Sequence, residues 1–265
     1  MVSRRAFLGS LAIGAGCLRA PGQSWAADDL DSVREALRRR LPDKEFERHV
    51  AEPPAVYRSP NRAAEIYQRR VGGVVLIAGE EGIGTGALIS ANGDIVTNEH
   101  VTRDAHKERG AEWHAVWFKP PGYAQPDKNE LLVARVIRKL ERRDLALIRL
   151  VQPPPAASVI LPLAPGLPEV GQDVFVIGHP KAYFWSLTQG IVSQVRPNHA
   201  WRYDDATPRI ATAIQTQAPI NPGNSGGPLL SDDGSIVGIV AGGANESQGI
   251  FFAVAAEHIR ELLSR

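Results

Sequence analysis

From Val71 onward the chain is built of short apolar runs separated by turn residues, and this texture limits the folds open to it. The runs include Val74-Val75-Leu76-Ile77, Ala87-Leu88-Ile89, Asp94-Ile95-Val96-Thr97, Trp113 to Phe118, Leu131 to Ile137 and Leu145-Ala146-Leu147-Ile148. The pattern resumes with Val174-Phe175-Val176-Ile177, Gly190-Ile191-Val192, Ile210-Ala211-Thr212, Ile236 to Val240 and Ile250 to Val254. Gly, Asp, Asn and Pro separate these runs, which predicts an all-β fold of barrels or a sandwich. Pro153-Pro154-Pro155 divides it into two halves of similar size. Before this region, Leu30, Val33, Leu37 and Leu41 recur at helical spacing and predict a helix over 28–41 that Pro42 ends. Residues 42–60 are polar, hold four prolines and read as a linker, and Asn61 opens a short helix to Arg70 as its cap.

The first residues read as an export signal. Arg4-Arg5 stands just before the apolar run Leu8 to Leu18, a twin-arginine pattern, and Ser24-Trp25-Ala26 suits cleavage after Ala26. The run is too short for a comfortable membrane span. The expected organisation is therefore a signal at 1–26, a helical extension and linker at 27–70, a first β unit at 71–155, and a second at 156–265 with a terminal helix. Removing residues 1–26 takes away Arg4, Arg5, Arg19 and the only cysteine, Cys17, so the net charge passes from +1 to −2. Stability must then come from packing without disulfides, in a periplasmic or extracellular setting. Gly14-Ala15-Gly16-Cys17 has the small residues of a lipid-attachment site but no leucine three before the cysteine, which argues against an anchor. A charge so near zero gives no general argument for nucleic acid as a partner.

The chemistry concentrates in Ile220-Asn221-Pro222-Gly223-Asn224-Ser225-Gly226-Gly227-Pro228. A glycine-rich turn holds one hydroxyl exposed and aims backbone N–H groups at a point close to it. The N–H groups of Gly223 and Ser225 are candidates for an oxyanion hole, with Asn224 in support. The same stretch contains G-x-S-x-G, the nucleophile elbow of another hydrolase fold, but that order needs an acid and a histidine after the serine. Only His258 follows, in what reads as a terminal amphipathic helix. A serine needs a base. His100, at the end of the run Ile95 to Thr97, is the candidate, and His179 in Gly178-His179-Pro180 is its competitor, either as base or as a loop side chain lining the cleft. The base needs an acid to fix its tautomer. Asp144 leads into the apolar run Leu145 to Ile148, so it is partly buried and requires a partner. Asp94 and Asp104 read as turn or strand caps.

Gly84-Thr85-Gly86-Ala87-Leu88-Ile89, Thr97-Asn98-Glu99-His100-Val101, Asp144-Leu145-Ala146-Leu147, Gly190-Ile191-Val192-Ser193 and Asn221 to Pro228, in that order, closely resemble the Deg/HtrA-type serine proteases of the chymotrypsin-like fold. The resemblance covers residues 70 to about 260. It implies two packed antiparallel six-stranded β-barrels with an N-terminal helical extension and a short C-terminal helix. His100 and Asp144 would come from the first barrel and Ser225 from the second. It implies polypeptide substrates and an acyl-enzyme, with activity rising through roughly pH 6–7.5 as the base becomes neutral. In zymogen-activated digestive relatives an aspartate precedes the serine and pairs with a newly cut N-terminus; the amide of Asn224 cannot, so activity should not need such a cut. Pro219, Ile220 and Ile250 are expected to line the specificity pocket, which favours a small or medium apolar side chain, while Phe251 reads as core. Well-known relatives continue into PDZ domains, whereas this sequence ends at Arg265, so a protease domain without one is expected. Two rivals stand beside this reading: a silent homologue that binds unfolded chains, and an esterase. No cofactor or metal is expected, since no paired histidines at helical spacing and no calcium-type loop occur. Gly82-Ile83-Gly84-Thr85-Gly86 is not followed by a helix and does not read as a phosphate cradle.

Overall fold

The computed structural model describes residues 27–41, 61–79, 82–122, 125–203, 207–243 and 249–264. Residues 1–26, expected to be a signal and containing Cys17, and residues 42–60, expected to be a linker, lie outside the described residues. The first helix, α1 (Ala27–Arg40), and the second, α2 (Arg62–Arg70), match the two helices expected. Asn61 caps α2 as predicted: its side-chain oxygen accepts from the Ala64 N–H at 3.2 Å.

Seven strands follow: β1 (Val74–Ala78), β2 (Ile83–Leu88), β3 (Asp94–Thr97), β4 (His106–Glu108), β5 (Ala111–Phe118), β6 (Leu132–Leu140) and β7 (Leu145–Leu150). They pair antiparallel in the order β1-β2-β3-β7-β6-β5-β4. An added β1–β5 pairing, Leu76 opposite Trp117, joins six of them into a ring and leaves β4 attached to β5. The second unit is a closed barrel in the order β10-β13-β12-β11-β8-β9. Its strands are β8 (Asp173–Gly178), β9 (Ser186–Trp201), β10 (Arg209–Thr216), β11 (Pro228–Leu230), β12 (Ile236–Gly243) and β13 (Phe251–Ala255). Helix α3 (Glu257–Ser264) closes the chain. All pairings between the named strands are antiparallel, which removes the nucleophile-elbow alternative, since that requires a strand feeding a helix on a largely parallel sheet.

Several strands are apolar without alternation because both faces are covered. All five residues of β1 are buried. Val75 and Ile77 face Leu88, Ile95, Val116 and Ile148 inside the first ring. Val74 and Leu76 face outward, into a core shared by Leu37, Ile66, Phe175, Ile259 and Leu262. That shared core is drawn from both barrels and all three helices, so burial ties the units together. The second barrel has its own interior of Val174, Val176, Ile214, Leu229 and Val240. Helix α3 leaves the second barrel and docks on the first: Arg138 donates to the Leu262 carbonyl at 2.6 Å, and Arg143 to Glu261 at 3.1 Å.

Candidate active site

His100 opens a short 3-10 turn (His100–Thr102) just after β3. Asp144 ends another (Glu141–Arg143) just before β7. Because β3 and β7 are paired, with Thr97 opposite Ala146, the two turns leave the same end of the ring side by side. Asp144 adopts a left-handed backbone, φ 54° and ψ 43°. Aspartate tolerates this region better than most residues. The His100 Nδ1–H donates to the Asp144 carboxylate, 2.9 Å from Oδ2 and 3.0 Å from Oδ1. The His100 backbone N–H donates to Oδ1 at 3.0 Å, and the Asn98 amide donates to the Asp144 carbonyl at 2.9 Å. With Nδ1 carrying a proton, Nε2 of the neutral ring is the free acceptor.

The Asp144 side chain is fully buried. Burying a carboxylate costs several kcal/mol of order unless donors and cations surround it. Two of these arrive from the second barrel and have no signature in the sequence. The Tyr203 hydroxyl donates to Asp144 Oδ2 at 2.8 Å, and Arg209, wholly buried, lies 4.0 Å from Oδ1. The Arg209 guanidinium also sits 3.5 Å from Glu99 and 4.6 Å above the Tyr203 ring. Glu99 is itself clamped by Arg103, at 2.6 Å.

The serine loop lies between β10 and β11. Gly223 has φ 100° and Gly226 φ 83°, conformations that glycine supplies without strain. The Asn224 N–H donates to the Asn221 carbonyl and the Gly227 N–H to the Asn224 carbonyl, closing two tight turns around Ser225. Among the described residues neither the Gly223 N–H nor the Ser225 N–H donates to a backbone carbonyl. The first barrel grips this loop through Thr85 of β2. Its N–H donates to the Ser225 carbonyl at 2.8 Å, and its hydroxyl to the Gly223 carbonyl at 2.7 Å. Gly226 packs on the strand that leads to His100: a Cβ there would stand 2.1 Å from Thr97 Oγ1 and 3.1 Å from the Asn98 nitrogen. Gly84, next to Thr85, is hemmed in from both units: a Cβ there would meet Val101 of the first at 2.6 Å and the Ser225 carbonyl oxygen of the second at 3.3 Å.

His179 does not line a cleft. It is fully buried at the end of β8, and its Nδ1 accepts from the Trp185 N–H at 3.1 Å. The proton therefore sits on Nε2, which faces the Val75 carbonyl without hydrogen-bond geometry. Burial holds the His179 imidazole down to about 3. The segment it starts braces the serine loop, for the Lys181 N–H donates to the Pro222 carbonyl at 2.8 Å. Lys181, Ala182 and Trp185 all have positive φ, so this brace is strained and held from outside. The Trp185 indole donates to the Val74 carbonyl, and the Tyr67 hydroxyl of α2 donates to the Trp185 carbonyl, both at 2.9 Å. Asn224 is buried, with neither end of its amide hydrogen-bonded.

Of the proposed pocket residues, Ile220 is buried in the second barrel's core with Phe251 packed against it, and Ile250 is partly buried. Pro219 is exposed, its carbonyl accepting from the Thr188 hydroxyl. Asp94 and Asp104 behave as caps, accepting from Ser90 and from the Gly82 N–H. His258 accepts from the Thr212 N–H, which is a structural use.

The barrels and this site define a chymotrypsin-like architecture. Residues 84–239 match the description "Trypsin-like peptidase domain", and the chain belongs to that family. Its relatives are of the Deg/HtrA type. It is 32% identical over 186 residues to "Protease Do-like 1, chloroplastic" of Arabidopsis thaliana, covering 68% of this chain and 38% of that protein. It is 35% identical over 162 residues to "Probable periplasmic serine endoprotease DegP-like" of Pseudomonas fulva, covering 60% and 29%. It is 33% identical over 184 residues to "Serine protease HTRA2, mitochondrial" of Bos taurus, covering 69% and 36%. The chain therefore spans well under half the length of these relatives. Solved structures agree on the fold. The active form of the Rv3671c protease from M. tuberculosis superposes with a TM-score of 0.63 at 23% identity, covering 82% of this chain and 93% of that one. The serine endoprotease from Yersinia pestis gives 0.59 at 24%, covering 78% and 67%.

Proposed function

We propose that the chain is an exported serine endopeptidase that cleaves polypeptides, unfolded ones in particular, through an acyl-enzyme. In this reading Ser225 attacks the scissile carbonyl. His100 Nε2 takes the hydroxyl proton and returns it to the leaving amine. Asp144 fixes the imidazole tautomer and stabilises the imidazolium. The N–H groups of Gly223 and Ser225 receive the developing oxyanion, and the buried Asn224 supports their loop. Ile220, Pro219 and Ile250 would form an apolar pocket suited to a small or medium side chain on the acyl side of the bond. Residues 1–26 would direct export to the periplasm or beyond, and the DegP-like relatives described as periplasmic support this.

The observation that carries the reading is the Asp144 carboxylate receiving both the Nδ1–H and the backbone N–H of His100. That arrangement leaves Nε2 basic and oriented. A fluorophosphonate probe at pH 8 tests it: stoichiometric label on Ser225, absent in Ser225→Ala and sharply slowed in His100→Ala, is expected. No label on folded protein, with or without peptide present, would make it a binding homologue. Cleavage of simple esters but not of unfolded protein would make it an esterase.

A further inference from the structure

A carboxylate that orients a catalytic imidazole has to be kept from rotating, and here the group that pins its second oxygen comes from the other barrel. We propose that Tyr203 is a positioning residue for the reaction, acting through Asp144 and anchored by Arg209. This rests on the assignment of His100 and Asp144 above.

The geometry is specific. The Tyr203 hydroxyl stands 2.8 Å from Asp144 Oδ2 and 3.1 Å from the Ala241 carbonyl of β12. It has one proton for two acceptors, and the shorter, charged one takes it. Oδ1 receives the His100 backbone N–H, so each oxygen has a donor besides the imidazole. The carboxylate is thereby held with both oxygens toward Nδ1. The ring of Tyr203 meets that of His100 edge-on, with centroids 4.9 Å apart, and limits how far the imidazole can tilt. Arg209 lies over the tyrosine ring, 4.6 Å from its centroid, and faces two buried acids, Glu99 and Asp144. Burial and the neighbouring Asp144 charge push the Tyr203 hydroxyl far above its ordinary range, so it remains a donor at every working pH.

Tyr203 follows β9 and Arg209 begins β10, so both belong to the second barrel's hairpin. The acid of the first barrel is thus completed by the unit that carries Ser225. A merely structural tyrosine would fill the same space without controlling the acid, and the hydroxyl separates the two roles. Tyr203→Phe keeps the ring, its contact with His100 and its contact with Arg209, and removes only the donor.

The experiment compares wild type, Tyr203→Phe and Arg209→Lys with an unfolded protein substrate, rates being expressed per fluorophosphonate-labelled serine so that misfolded protein drops out. His100→Ala serves as control. With a hydrogen bond to a charged group removed, kcat of Tyr203→Phe should fall roughly ten- to hundred-fold. KM should stay within about two-fold, because the lost interaction does not touch bound substrate. The half-maximal pH of kcat/KM should rise, because a carboxylate with one donor fewer holds the imidazolium proton more strongly. The groups facing that imidazolium are Asp144 and Tyr203, with Arg209, Glu99 and Arg103 behind them. The far-downfield Nδ1–H resonance of His100 should move in parallel. If Tyr203→Phe yields no folded protein, Arg209→Lys, which leaves the hydroxyl but loosens its anchor, should show the same changes at smaller size. An unchanged kcat, pH midpoint and Nδ1–H resonance in the folded variants would overturn the proposal. Unimpaired activity in His100→Ala would instead overturn the site assignment beneath it.

Discussion

Replacing His179 by asparagine should flatten the loss of stability in acid. The side chain is fully buried, and burial holds its folded-state value to about 3, against roughly 6.5 for an unfolded histidine. The folded state therefore binds fewer protons than the unfolded state whenever the pH lies between these values. Stability then falls as pH falls, because ∂ΔG_unfold/∂pH follows the excess of protons on the unfolded chain. Above the unfolded value the site contributes nothing. Integrated from pH 7.5, the loss is about 2 kcal/mol at pH 5 and about 3 kcal/mol at pH 4. Asparagine puts Oδ1 where Nδ1 stood, so the Trp185 N–H keeps its acceptor while the titrating group is gone. Urea denaturation at pH 7.5, 6, 5 and 4 should show the curves of wild type and His179→Asn converging by those amounts. Any packing cost of the substitution is the same at each pH and cancels in the comparison. His114, also buried and shifted down by burial, remains in both proteins and adds equally to both slopes. Parallel curves over the whole range would show that His179 either protonates in place or is not buried.

Ser225→Ala should abolish fluorophosphonate labelling and proteolysis while leaving the melting temperature within a few degrees, read by calorimetry, since the hydroxyl is not part of the core. Gly223→Ala places an L side chain at φ 100° with its Cβ 2.1 Å from the His179 carbonyl oxygen. It should cost about 1–3 kcal/mol in urea denaturation and, if the Gly223 N–H is the oxyanion donor proposed above, roughly 10²–10³ in kcat. Thr85→Val keeps the shape but leaves the buried Gly223 carbonyl without its hydroxyl partner, for an expected loss of about 1–3 kcal/mol. Its kcat should fall more than its KM rises.

The strands and the capped helix at Asn61 are legible because local sequence encodes them, whereas the pairing of His100 with Asp144 follows from the family resemblance, the residues alone offering Asp144 as an acid in need of a partner. A run such as Val74-Val75-Leu76-Ile77 has few other uses, and an aspartate leading an apolar strand must meet a partner. By sequence His179 reads as a base or a cleft residue, since its glycine and proline neighbours mark a turn. A turn says nothing about depth, and here the strand before it carries the ring into the core beneath Trp185. Tyr203 and Arg209 were invisible for a different reason. Their stretch is polar, and their roles come from a contact between barrels that no local period records. A buried arginine is recognisable only from the acids it meets, and Glu99 and Asp144 lie 110 and 65 positions earlier in the chain.

The two barrels are each incomplete in the part that chemistry would use, and each is completed by the other. Thr85 of the first barrel holds the carbonyls of Gly223 and Ser225, which fixes where the loop's free N–H groups point. Tyr203 and Arg209 of the second hold the carboxylate of Asp144, which fixes His100. The coupling is geometric before it is energetic. A small rotation between barrels would stretch the Thr85 and Tyr203 bonds together, and would move the Ser225 loop and the His100–Asp144 pair relative to each other in the same motion. Helix α3 opposes that rotation through Arg138 and Arg143, and the shared core of Leu76, Phe175 and Ile259 resists it by burial. A site divided in this way depends on the interface as a whole. Weakening the interface away from the site, as at Glu261, should therefore reduce turnover before it unfolds the protein.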